Sequence, residues 1–272
     1  MKLTFIPSLL FAILIVFSAC NSTQKSTSSN KNESIEAIVE NPDPAHNSQN
    51  SLDWAGIYKG TIPCADCEGI ITVIKIEENL TVTKQTQYLG KSDKIFTSTG
   101  KMNWLSDGGR IELIGEDFSK EFYRVGENVL IQLDQNGKKI EGNLAIHYHL
   151  SKIESSVNGK YWKLVELYGQ PIESKNAKSP FLIFNENEGR AYGNAGCNSF
   201  SGTYILEEGN RISITKIATT LMACENMAIE EQFKSVLEMT DNYYVSANQL
   251  HLHKAKMAPL AKFEADFFQK VE

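Results

Sequence analysis

Histidine, tryptophan and proline are scarce in this chain, with 5, 3 and 7 copies among 272 residues. Several motif classes are missing altogether. There is no G-x-S-x-G elbow, no H-E-x-x-H pair and no glycine-rich loop ahead of a helix. The common signatures of nucleophilic, zinc-hydrolytic and phosphate-cradling chemistry are therefore absent. Glu77-Glu78 and Glu207-Glu208 are sequence neighbours at turn-like positions and read as solvated carboxylates. Lys and Glu are interspersed, the formal net charge is −6, and no basic stripe marks a nucleic-acid face. Such a charge favours solubility and names no partner. These absences point away from an enzyme and from a nucleic-acid binder.

What is present begins with a targeting segment. Lys2 precedes an apolar run from Phe5 to Phe17, shorter than the roughly 20 residues of a spanning helix and suited to the core of a secretory signal. It ends in "FSAC", where small residues directly precede Cys20. This resembles a bacterial lipobox, with Phe17 in place of the usual Leu, and implies residues 1–20 as a lipoprotein signal and Cys20 as the acylated residue. Two or three acyl chains anchor stably, at about 0.8 kcal/mol per buried CH₂. Residues 21–52 are rich in Asn, Ser, Thr, Gln and Lys and read as a flexible tether, because such a stretch buries too little apolar surface to offset its ordering entropy.

Residues 53–152 show no helical period. Short alternating runs recur, including "GIITVIKIE", "RIELIG", "EFYRV", "NVLIQLD" and "LAIHYHL", separated by turns such as "SDGG", "GEN" and "DQNG". About eight strands in a hundred residues predict a small antiparallel β-barrel, closure removing exposed edges. The run "GIYKGTIPCADCEGI", followed by "QYLG", "STGKMNW", "FYRV" and "NLAIHYHLSK", resembles the N-terminal domain of the NlpE family. That resemblance implies a lipocalin-like barrel, an outer-membrane lipoprotein facing the periplasm or the cell surface, and a link to envelope stress signalling and copper tolerance.

Residues 157–268 open with "YWKLVELYGQPI". "GNAGCNSFSGTY" and "TTLMACENM" resemble the META/HslJ family, which implies a compact domain without an accepted catalytic constellation. From the residues alone, Asn194, Gly196, Asn198, Ser201 and Gly202 predict a tight irregular turn. Ile229, Phe233, Val236, Leu237 and Thr240 lie on one face of a helix, with Glu230 and Glu231 at its positive end. The expected fold class is mainly β: a lipocalin-like barrel followed by an α+β domain whose helix covers one sheet face.

With Cys20 acylated, four cysteines remain for an oxidising compartment. The pairing Cys64–Cys67 and Cys197–Cys224 keeps each bond within one domain. A bond between Cys197 and Cys224 would stabilise by about 3.5 kcal/mol in the chain-entropy model; two buried thiols are the alternative. A strand pattern follows Cys67, so the helix that lowers a thiol pKa in oxidoreductases is missing. A four-thiolate zinc site would need a second closely spaced pair. What remains for Cys64 and Cys67 is a structural clip or, through the NlpE resemblance, a redox- or copper-responsive pair. Strand period two would place His147 beside His149 and His251 beside His253. Their alternating neighbours are apolar, so half-buried strands with a wet face explain both runs; a weak copper or zinc site, helped by Met257, is the sharper reading.

Together these features predict a non-catalytic, lipid-anchored envelope protein. It would sense or buffer envelope stress through contacts with other envelope proteins. The alternative is a carrier whose barrel holds a small apolar ligand; Trp104, Phe122 and Leu133, read as bulky inward residues, favour a filled interior.

Overall fold

The structure is a computed structural model that describes residues 46–115, 119–172, 179–224 and 227–271. The expected signal segment, Cys20 and most of the expected tether lie outside the described residues. The end of that tether is structured instead: Ser48–Ser51 form a short helix, α1, and Asn47 caps it by accepting from Asn50 N at 3.1 Å. Ser48 Oγ donates to the Val125 carbonyl at 2.7 Å, and Leu52 and Trp54 pack on the core of the first domain. One cap and two apolar anchors suffice to order a polar stretch beside a preformed surface.

The first domain is a closed antiparallel barrel of β1 (Gly56–Ile62), β2 (Gly69–Ile76), β3 (Thr81–Leu89), β4 (Phe96–Trp104), β5 (Arg110–Gly115), β6 (Glu121–Gly126), β7 (Val129–Gln132) and β8 (His149–Lys152). β8 returns to β1 through Tyr58↔Lys152 and Lys59↔Ser151. Strand period two turns alternate residues inward, where Tyr58, Ile74, Val82, Ile111, Leu113, Leu130 and Leu150 are all 0% exposed. They form one apolar cluster with Ile76, Met102, Tyr123 and Val125, so this half of the interior is packed with side chains. Trp54 and Trp104 meet edge to face at 5.8 Å beside them. Phe122, by contrast, points outward: its neighbours Tyr123 and Val125 are the buried pair of β6. Leu133 is 7% exposed, yet it lies on the outer face, two residues on from the half-buried Ile131. Two of the three bulky residues expected inside therefore face out, because adjacent apolar residues give no phase to the alternation.

"LAIHYHL" also departs from the expectation of a strand. Ala145–Tyr148 form a 3₁₀ turn and, of the two histidines, His149 alone enters β8, so His147 and His149 do not share a strand face. Ile146 is 70% exposed.

The second domain contains β9 (Tyr161–Leu167), β10 (Gln170–Pro171), β11 (Phe181–Asn185), β12 (Arg190–Asn194), β13 (Ser199–Glu207), β14 (Arg211–Thr219), α2 (Ala228–Met239), β15 (Asn242–Val245), β16 (Gln249–His253) and β17 (Ala261–Asp266). β17 pairs with β9, so the sheet also returns on itself. Its weakest seam lies between β14 and β15, where Arg211↔Asn242 is the registered pair. α2 is the connection between those two strands. Its Phe233, Val236 and Leu237 share the core with Trp162, Phe184, Phe200 and Phe263, and Phe233 meets Phe200 edge to face at 5.6 Å. Ser201 and Gly202 belong to β13, not to a turn, and a register shift occurs there. Gly193 permits close strand approach: a Cβ there would lie 2.0 Å from the Phe181 carbonyl oxygen.

Buried phenols set the alkaline limit of the fold. Tyr58 donates to the Trp54 carbonyl at 2.7 Å, and burial, with Asp53 adding, pushes its pKa up to about 12. Burial, then the Glu121 charge and hydrogen bond, push Tyr123 well above the ordinary value. Because the folded-state pKa values exceed the unfolded value of about 10, their contribution is intact below pH ~10 and is lost as pH climbs beyond it. Urea melts from neutral to alkaline pH should show that decline. Tyr58→Phe should make it shallower, at a cost of about 1 kcal/mol at neutral pH for the lost hydrogen bond.

Candidate functional site

Antiparallel order places the β1–β2 loop, the end of β3, the start of β6 and the end of β7 at one mouth of the first barrel. The loop holds Pro63 through Glu68, and a disulfide joins Cys64 to Cys67, with Cα atoms 5.3 Å apart. Asp66 between them is exposed and pairs with Lys91 from the β3–β4 connection. The Lys91 hydrogen bond and charge hold the Asp66 carboxyl below its usual range. Glu68 N donates to the Leu89 carbonyl at 3.3 Å and ties the far end of the loop to β3. Donor atoms of Cys64, Asp66 and Cys67 lie within 4.8 Å of one another, the one such cluster of three among the described residues. With the disulfide closed, its sulfurs are not thiolate ligands; reduction would present two sulfurs and one carboxylate, a set suited to a soft metal such as Cu(I).

Behind that mouth the barrel interior turns polar. Lys84 of β3 reaches across to Glu121 of β6, with side chains only 11% and 18% exposed. Tyr123 donates to the other Glu121 oxygen at 2.8 Å. Gln132, the cross-strand neighbour of Tyr123, keeps a buried Oε1 without a protein partner. None of these four was singled out from sequence. Lys84 and Glu121 lie 37 residues apart, and no local pattern signals their meeting.

In the second domain a second disulfide joins Cys197 to Cys224 and sits on a buried polar knot. Asn198 is 1% exposed. Its backbone N–H and Nδ2 donate to the two Glu230 carboxylate oxygens at 2.8 and 2.9 Å. Its Oδ1 accepts from Thr220 Oγ1 and Met222 N, both at 2.7 Å, and Nδ2 also reaches the Met222 carbonyl at 3.0 Å. Glu230 therefore does more than face a helix dipole: it fastens α2 to the β12–β13 loop. Beyond the knot, Leu221 stands 95% exposed and Met222 57%.

His251 and His253 do share a face of β16, with ring centroids 6.2 Å apart. Burial, with Lys262 and His253 adding, lowers the His251 pKa. His253 Nδ1 lies 3.2 Å from the Met257 carbonyl, so it is the backbone of Met257, not its thioether, that the structure brings to the ring. His147 and His149 are both exposed.

Comparison with known proteins agrees with the two resemblances. Residues 58–143 match the NlpE N-terminal domain, and residues 155–267 match the META domain. Over 100 residues the chain is 30% identical to Lipoprotein NlpE of Escherichia coli K12, spanning 37% of this chain and 42% of that relative's length. A crystal structure from Shewanella oneidensis, described as a lipoprotein, is 45% identical with a TM-score of 0.36, over 39% of this chain and 94% of that one. The crystal structure of the Cpx pathway activator NlpE from Escherichia coli is 20% identical with a TM-score of 0.29, over 63% of this chain and 98% of that one.

The knot generates a direct test. Glu230→Ala leaves the Asn198 backbone N–H buried without an acceptor and its amide with the Met222 carbonyl alone, which should cost about 1–3 kcal/mol and lower the thermal midpoint of the second domain. Glu231→Ala, one residue along on the exposed side of α2, should change it by under ~0.5 kcal/mol. Calorimetry on the two variants compares them.

Proposed function

We propose that the chain is a lipid-anchored cell-envelope protein, held through Cys20 at the outer membrane, that senses or buffers envelope stress by contact with other envelope proteins. The observation that carries this reading is a half-buried disulfide in an exposed loop at the mouth of a barrel whose residues match the NlpE N-terminal domain. The related NlpE structure is of a Cpx pathway activator. By that analogy the role is one of signalling and binding, without turnover. The barrel supplies a rigid frame, and the Cys64–Cys67 loop supplies an element whose chemistry depends on the redox state around it.

Copper enters the proposal through the same loop. In the reduced state Cys64 and Cys67 with Asp66 form a short chelate that favours Cu(I) over harder ions; in the oxidised state it does not bind. His251 and His253 offer two further nitrogens on the second domain. The packed apolar half of the barrel weighs against the carrier alternative, since a ligand there would have to displace side chains already in van der Waals contact.

Strains lacking the protein, and strains with Cys64→Ser and Cys67→Ser, distinguish these roles. Both should grow less well than the parent under copper load and under blocked lipoprotein trafficking. A deletion phenotype with no effect of the serine variants would leave contact-based sensing and remove the loop from it. No phenotype in either strain would overturn the reading. Acyl labelling that persists in a Cys20→Ser variant would refute the anchor.

A further inference from the structure

We propose that the outer wall of the first barrel carries a binding groove for the anionic headgroup of a phospholipid, formed by Arg110, Arg124, Lys138 and Lys139 over an apolar floor of Ile131 and Leu133. The groove has a volume of about 420 Å³ and no acidic side chain lines it. This site lies on the opposite surface of the wall from the polar interior and is independent of the Cys64–Cys67 loop.

The first observation is a broken local rule. Arg110 of β5 and Arg124 of β6 are registered directly opposite each other. Like charges in that position are destabilising, and a sheet surface ordinarily places an acid there. Arg110 has Asp107 as a partner, but among the described residues no ion pair includes Arg124, Lys138 or Lys139. Four cations therefore gather in a chain whose formal net charge is −6.

The second observation is that the cations are held in place. The turn from Asp134 to Lys138 folds over this wall, and Arg110 Nη1 donates to the Gly137 carbonyl at 2.9 Å. Asp134, the acid that opens the turn, spends Oδ1 inside it, accepting from Asn136 N and Lys138 N, both at 2.8 Å. Its backbone N–H donates to the Lys138 carbonyl at 2.8 Å. The turn thus projects Lys138 and Lys139 from a fixed base while its own carboxylate is engaged by the backbone.

Chemistry selects the occupant. Guanidinium forks and ammonium groups together match a phosphate. A free anion needs no apolar floor, whereas the glycerol and first methylenes of a phospholipid fit Ile131 and Leu133. The groove's volume suits a headgroup and falls within the ordinary range of about 300–1,000 Å³ for small-molecule sites. Each Lys or Arg brought close to an anionic membrane surface adds about fivefold in affinity.

Sedimentation with vesicles tests this, using the chain from residue 21 onward so that neither the apolar run from Phe5 to Phe17 nor an acyl anchor contributes. Vesicles of mixed phosphatidylglycerol and phosphatidylcholine should bind the protein, and pure phosphatidylcholine vesicles should not. The triple variant Arg124→Glu, Lys138→Glu, Lys139→Glu should lose about 10- to 100-fold in affinity. An equal charge change on the second domain, Lys163→Glu, Lys254→Glu, Lys256→Glu, should lose no more than about twofold. Ile131→Gln, which keeps every charge, should weaken binding severalfold. Equal loss in the two triple variants, absence of any anionic preference, or an unchanged Ile131→Gln affinity would overturn the proposal. Full displacement by millimolar inorganic phosphate would also overturn it, by assigning the groove to a free anion.

Discussion

Closure is the constraint on which both domains depend. In the first, β8 returns to β1 through two registered pairs; in the second, β17 returns to β9 through six. An open antiparallel sheet of this length would present two edges of unpaired N–H and C=O groups. Closed, it has one inside and one outside, and every second side chain of every strand meets the others. The two seams flank one connecting segment. Ile153 N donates to Ile57 O at 2.7 Å, Gly159 N to Phe184 O at 3.1 Å, and Trp162 Nε1 to Val157 O at 2.7 Å. Residues 153–160 are thus hydrogen-bonded to both barrels, which fixes where one ends and the next begins.

Closure also makes polar insertions costly, and the structure meets that cost by pairing the charged groups it buries. Lys84 and Glu121 face each other across three strand steps, and Tyr123 occupies the second carboxylate oxygen. A buried ion pair seldom adds net stability against an apolar replacement, but removing one partner leaves a stranded charge, typically about 3–5 kcal/mol worse. The same logic governs Asn198 and Glu230, where both amide groups and a backbone N–H are satisfied at once. Each network joins elements far apart in sequence, so each specifies one arrangement of the chain more than it strengthens it.

This is why the fold was readable and the site only partly so. Alternation in "RIELIG" and "EFYRV" is a local property, and those runs became β5 and β6. "DQNG" announced its turn for the same reason: Asp134 caps backbone amides within four residues of itself. The cysteine pairing was also within reach, since both bonds lie inside one domain. Phase was harder. Phe122 and Tyr123 are adjacent aromatics, and only the register of β6 against β7 decides which one enters the core. "LAIHYHL" alternates well enough, yet Gly142 and Asn143 precede it and a 3₁₀ turn takes its first half. Glu230 looked like a helix-dipole residue because its true partner, Asn198, is 32 residues away. The cationic wall escaped for a related reason: Arg110, Arg124 and Lys138 are scattered along the chain and assemble only when the sheet curls.

The two disulfides are placed for different work. In the chain-entropy model a bond closing the four-residue Cys64–Cys67 loop contributes about 2 kcal/mol, and one closing the Cys197–Cys224 loop about 3.5. The larger bond also borders the Asn198 knot, where Met222 N and O both hold Asn198, so opening it would loosen the anchor of α2. The smaller one lies outside the ladder. Ile62↔Ile70 and the pairs below it hold β1 to β2 whether or not the sulfurs are joined, and Glu68 N still donates to Leu89 O. Reduction at Cys64 and Cys67 therefore changes the chemistry of an exposed loop while leaving the barrel closed. A responsive element needs that separation between its own state and the integrity of the fold, and of the two cysteine pairs only the first has it.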